Sequence, residues 1–225
     1  MSDLITTPLK MSLFLSIAVL SSPVLGQDVV LEDGSPNPDF PNLYGWYQPD
    51  TGLNGSTGIP TDGTSVTSWD SSGAVVRPLA RASDDPARQP VLMHDGINGK
   101  PALQFDGDDF IWGAQTADDW GTIESARTML IVARPDIIDS GYLFDSSSSV
   151  GRNAVFLGWS EDAKNWTAYT GTEVFACGTM VEFEPVVLAA TFDPASGSTV
   201  HINGQLLGSD TSEVSVLAGF ILGSR

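Results

Sequence analysis

The chain has 225 residues, 41% of them hydrophobic, with 23 glycines and 14 prolines, which suits one sizeable core cut into short segments by many turns. Ten basic against 28 acidic residues leave a formal net charge of −18, which argues against nucleic acid as a partner because phosphates would be repelled. A lone cysteine, Cys177, and two histidines, His94 and His201, exclude an internal disulfide and a Cys/His metal centre.

Residues 1–26 read as a signal peptide. Lys10 precedes the apolar run Leu13 to Leu20, and Val24 and Gly26 stand at −3 and −1 of a cut before Gln27. That run is too short to span a bilayer. The expectation is therefore an exported chain, secreted or held in the periplasm or cell envelope, with no transmembrane segment after processing. Residues 27–41 are acidic and contain Pro36 and Pro38, and they read as a linker. The domain proper is expected over residues 42–225.

An aromatic-rich opening, Tyr44 to Tyr47, leads into a polar Gly/Ser/Thr loop and then a strand around Trp69. Residues 80–90 read as an exposed loop. The stretch from Gly96 to Trp112 has the clearest pattern. Asn98-Gly99 suits positive φ, and Pro101 forbids a helix through the bend. Leu103 and Phe105 then alternate with Gln104 and Asp106, as in a strand with one apolar face. A second turn at Asp106-Gly107 precedes a new strand from Phe110 to Trp112. An irregular segment with Asp118, Asp119 and Trp120 is expected to form one short helical turn.

Beyond it the strand signals become dense. Thr128 to Arg134 and Val186 to Phe192 are continuous apolar runs, as strands covered on both faces would show. Gly141 to Asp145 and Ala154 to Trp159 read as further strands. Asn165 to Tyr169 alternates, with Trp166 on the core side and Asn165, Thr167 and Tyr169 on the other. Thr199 to Ile202 runs into Asn203-Gly204, a hairpin signal, and returns through Leu206 and Leu207. Gly219 to Gly223 is the last predicted strand.

The stretch GINGKPALQFDGDDFIW, the opening NLYGWYQPDTGL and the run VVLAATFDPASGSTVHINGQLLGS together resemble, in order and spacing, the laminin-G-like jelly-roll domains of secreted bacterial proteins. These belong to the concanavalin A-like lectin and glucanase superfamily. The resemblance covers most of residues 42–225. It implies an all-β fold, a two-sheet antiparallel β-sandwich of the jelly-roll type. It also implies a further strand after Gly219–Gly223, so the domain reads as lacking its final strand. Where that family carries an Asn-rich stretch, this chain has Ala74 to Leu79, so no ligand site is carried over from that loop.

The superfamily includes glycan-cleaving enzymes. Retaining glycosidases need two carboxyl groups flanking the sugar bond, and the strand motif Glu-x-Asp-x-x-Glu that supplies them is absent. Glu182 and Glu184 share a strand face but meet Pro185 at once. Ser160 to Trp166 approaches a sialidase Asp-box without its glycine, and neither histidine lies in a nucleophile–base motif. The reading is thus a non-catalytic recognition module for a glycan or an extracellular or cell-surface protein. The alternatives are a glycan hydrolase or lyase of the same fold, and a structural or partner-binding protein of the cell envelope.

Two groups of residues carry candidate chemistry. Asp106, Asp108 and Asp109 cluster at a glycine turn and offer the hard oxygens that calcium takes; an Asp-Gly pair that simply makes the turn is the alternative. Sugar binding needs aromatic faces beside amides and hydroxyls. Trp112, Trp120, Asn165, Thr167 and Tyr169 are the candidates.

Overall fold

The computed structural model describes residues 11–14, 19–21, 37, 40, 43–72, 75–81, 83–113, 122–136, 141–146, 152–157 and 165–224. In chain order the strands are β1 (Met11–Phe14), β2 (Val19–Ser21), β3 (Ser68–Asp70), β4 (Pro78–Arg81), β5 (Val91–Ile97) and β6 (Lys100–Phe105). Then come β7 (Ile111–Gly113), β8 (Thr122–Ile123), β9 (Arg127–Pro135), β10 (Gly141–Asp145), β11 (Ala154–Leu157) and β12 (Asn165–Tyr169). The last are β13 (Val174–Thr179), β14 (Val186–Asp193), β15 (Gly197–Ile202), β16 (Gln205–Asp210), β17 (Leu217–Ala218) and β18 (Phe220–Ser224).

The fold is all-β and antiparallel. One sheet runs β16-β15-β14-β9-β1-β6-β5, with β2 also paired to β9. The second runs β13-β12-β11-β10-β18-β7-β4-β3, and β17 and β8 form a small separate pair. The two large sheets bury one common core. Leu103, Phe105, Met129, Ile131, Leu188 and Phe192 come from the first, and Leu143, Phe144, Trp166, Phe220 and Leu222 from the second. The Phe144 ring meets Phe192 edge-on across the layers at 6.2 Å and stacks on Phe220 at 6.0 Å. This is sandwich packing, with inward side chains of both sheets interdigitated.

Local chemistry explains the hairpins. Asn98 and Gly99 have φ of 50° and 71°, and Asn203 and Gly204 have φ of 51° and 80°. Two successive positive φ values give the turn whose twist matches the flanking strands. The continuous apolar runs behave differently from their expectation. In β9, burial alternates strictly, with Met129, Ile131 and Ala133 in the core and the intervening residues half-buried. In β14, Val187 is exposed. Both strands are therefore fully covered on one face only.

Two placements come from tertiary pairing. Asp106-Gly107 does not close a hairpin, because β6 lies in the first sheet and β7 in the second. The turn is the step between the two layers. Met11–Phe14, a stretch of the expected leader that enters its apolar run, lies between β6 and β9, with Leu13 opposite both Leu103 and Ala133.

Candidate functional site

The second sheet has an inner face, closed by the core, and an outer face. In β7, Ile111 is buried in the core, so its neighbour Trp112 points outward, half-buried. Trp112 is opposite Ile221 on β18, and Ile221 is opposite Asp145 on β10. Directly paired residues share a face, so Trp112, Ile221 and Asp145 form one outward row. In β12, Trp166 is 1% exposed and belongs to the core with Ala168. Asn165, Thr167 and Tyr169 therefore lie on the outer face, as the alternation predicts.

Arg152 joins these strands. It follows β10 and precedes β11, and its guanidinium bonds the Asp145 carboxylate twice, through Nη2 and, at 3.1 Å, through Nε. The same guanidinium carbon lies 5.4 Å from the Tyr142 ring centre and 5.9 Å from that of Tyr169, within cation–π range of both. Tyr142, Arg152 and Tyr169 are thus one half-exposed aromatic–cation–aromatic group. Asp145, 5% exposed, anchors it from beneath and also accepts the Ser146 N–H at 2.7 Å. Burial pushes the Asp145 pKa up, and the bonds and charge of Arg152 oppose that rise. Arg152 in turn is held firmly charged by its bonds to Asp145. The Tyr169 hydroxyl donates to the Gly171 carbonyl at 2.8 Å, which fixes the ring.

Of the candidate sugar-binding residues, Trp112 and Tyr169 are half-buried on this face, and Asn165 is half-buried toward β13. Thr167 shares the face but is only 6% exposed. Trp120 lies outside the described residues. The sequence reading passed over Tyr142, Asp145 and Arg152. The available signal was a lone arginine in a serine-rich turn between two strands, in a chain with few basic residues.

The acidic candidates sit elsewhere, at the step between the sheets. One carboxylate oxygen from each of Asp106, Asp108 and Asp109 lies within 4.8 Å of the others. Burial first, with added repulsion from Asp106 and Asp108, pushes the Asp109 pKa up to about 7, although the Asp106 N–H bonded to it acts the other way. Asp108 is exposed, and its pKa is raised chiefly by its contact with the Asp106 side chain.

Three other reactive groups have structural roles. His94 donates its N–H to Asp62 at 2.7 Å, and its ring Nε2 lies 2.7 Å from the Pro60 carbonyl. Asp193 accepts the Ala195 N–H within its own loop. Burial pushes the Cys177 thiol up to about 12, so it packs as an apolar group and stays protonated.

No family model matches the chain, and no curated protein matches it. Among solved structures, the chain is similar to domain 4 of AbnA, a GH43 extracellular arabinanase from Geobacillus stearothermophilus, in complex with arabinotriose. The identity is 14% and the TM-score 0.40, and the match covers 95% of this chain and 85% of that one. A likeness at that level says nothing of individual residues at a site.

Proposed function

We propose that the chain is a non-catalytic carbohydrate-recognition module of a laminin-G-like jelly roll, exported to the cell exterior or envelope. The observation that carries this reading is the Arg152 guanidinium held between the rings of Tyr142 and Tyr169. A sugar presents apolar C–H faces and a rim of hydroxyls. Fixed aromatic rings stack on the first, and a charged, planar donor bonds the second. Trp112 extends the same face across β18. Because the group is held in place by Asp145 and Gly171, little ordering entropy is lost on binding. A hydrolytic role finds less support on this face, since both oxygens of the Asp145 carboxylate are taken up by Arg152.

The test is affinity electrophoresis of the full chain through gels containing plant and bacterial polysaccharides. At least one polysaccharide should retard the protein, and Tyr142→Ala and Tyr169→Ala should each lose that retardation while melting within about 4 °C of wild type. Uniform silence across the panel, or unchanged retardation of both variants, overturns the assignment. Silence on glycans with retained capture of an envelope protein would support the structural alternative.

A further inference from the structure

We propose that Asp106, Asp108 and Asp109 bind one divalent cation of the calcium class, and that this ion pins the step at which the chain leaves one sheet for the other. The step runs from the end of β6 to the start of β7. It turns at Gly107, whose φ of 106° is open to glycine and costly for other residues. Three carboxylates fall on this one short bend, and each offers an oxygen within 4.8 Å of the others. Calcium holds oxygens at roughly 2.4 Å, so two ligands on opposite sides of the ion stand about 4.8 Å apart. The three oxygens therefore fit inside a single coordination sphere.

Clustering alone would be met by solvated acids, but Asp109 is buried and Asp106 is half-buried. Asp109 is 4% exposed. Its Oδ2 accepts the Asp106 N–H at 2.9 Å, while its Oδ1 is buried and meets no donor. Oδ1 of Asp106 is likewise buried without a donor. Orphaned buried acceptors are rare, and on charged groups they are the most costly kind. A positive ion, a shared proton or a buried water with two hydrogens to give can answer both oxygens at once, and of these only the ion brings the charge that three converging carboxylates call for. Arg88 does not, because its Nε approaches only the outer carboxylate, Asp108, at 4.0 Å, with both side chains more than half exposed. The donor set is all hard oxygen, which suits calcium or magnesium and disfavours softer transition metals. Exposed Asp108 gives the ion a way in from solvent.

The experiment uses the full chain at pH 8, where a shared proton competes least. Calorimetric titration with CaCl2 is paired with thermal melts in CaCl2, in MgCl2 and in chelator with NaCl at matched ionic strength. The expected result is a single binding event. At calcium about 100-fold above Kd, the folded-to-unfolded ratio should rise about 100-fold. Asp108→Asn, a change at an exposed position that leaves the fold intact, should weaken affinity at least tenfold. Asp109→Asn should abolish it. The inference falls if wild type shows neither heat nor a melting shift beyond that in NaCl, or if both variants respond as wild type does. It falls equally if calcium is silent and Asp109→Asn alone raises the melting temperature, since a proton would then be what neutralises the pair.

Discussion

Replacing Arg127 with methionine should destabilise the fold by roughly 2–4 kcal/mol. Arg127 begins β9 and is 1% exposed. It donates to the Ile123 carbonyl at 3.3 Å, the Ser125 carbonyl at 3.0 Å, Asn153 Oδ1 and the Ser215 carbonyl, four neutral acceptors from three parts of the chain. Burial lowers its pKa to about 10, so it remains a cation at neutral pH. Methionine keeps the unbranched stem and removes every donor. Four lost bonds at about 1 kcal/mol each come to about 4. Relief from burying a charge, whose Nε also lacks a partner, returns part of that. Urea unfolding followed by tryptophan fluorescence gives the answer directly, because Trp69 and Trp166 are buried. The midpoint should drop by about 1–2 M with m unchanged, for m of about 2 kcal/mol/M. Lysine at the same position separates the two effects. It should lie between wild type and methionine if the bonds dominate, and below methionine if charge burial does. A methionine variant at least as stable as wild type refutes the reasoning.

Trp166→Ala should cost roughly 3–5 kcal/mol, the range for a large aromatic lost from a core, whereas Tyr169→Ala should stay within about 1 kcal/mol; paired thermal melts decide, and the reverse order would mean that the facing of β12 is inverted. Arg152→Ala leaves the buried Asp145 carboxylate without its cation, so the Asp145 pKa should rise further above its ordinary value. A carboxyl raised in the folded state contributes stability at low pH that is lost as pH climbs through the folded pKa. The variant should therefore lose more melting temperature than wild type between pH 5 and pH 8, and parallel profiles would count against the pair. Export should remove residues 1–26, which mass analysis of the secreted N-terminus checks directly. Because β1 and β2 pair with β6 and β9, a chain lacking those residues exposes two strand edges inside the first sheet. It should self-associate in size-exclusion chromatography, and a monomer with unchanged melting would show that the slot needs no strand.

Much of the local structure is legible in the residues themselves. Asn98-Gly99 and Asn203-Gly204 announce their turns because positive φ is a property of single residues. The alternation in β12 puts Trp166 inside and Tyr169 outside, because side-chain direction follows the two-residue period of any strand. The aspartates at Gly107 are neighbours in the chain, so their meeting needs no long-range fold. The aromatic–arginine group is different. Tyr142, Arg152 and Tyr169 meet only because β10, β11 and β12 pair in one register, and Trp112 joins their face only because β18, from the far end of the chain, lies between β7 and β10. Nothing in the alternation of β12 shows that Thr167 is covered, or that β6 and β7 lie in different sheets. Turn preference and strand period act over two to four residues and are written in the sequence. Strand order, register and sheet membership are settled by which apolar faces find one another in the common core, so the face that carries the candidate site exists only in the folded chain.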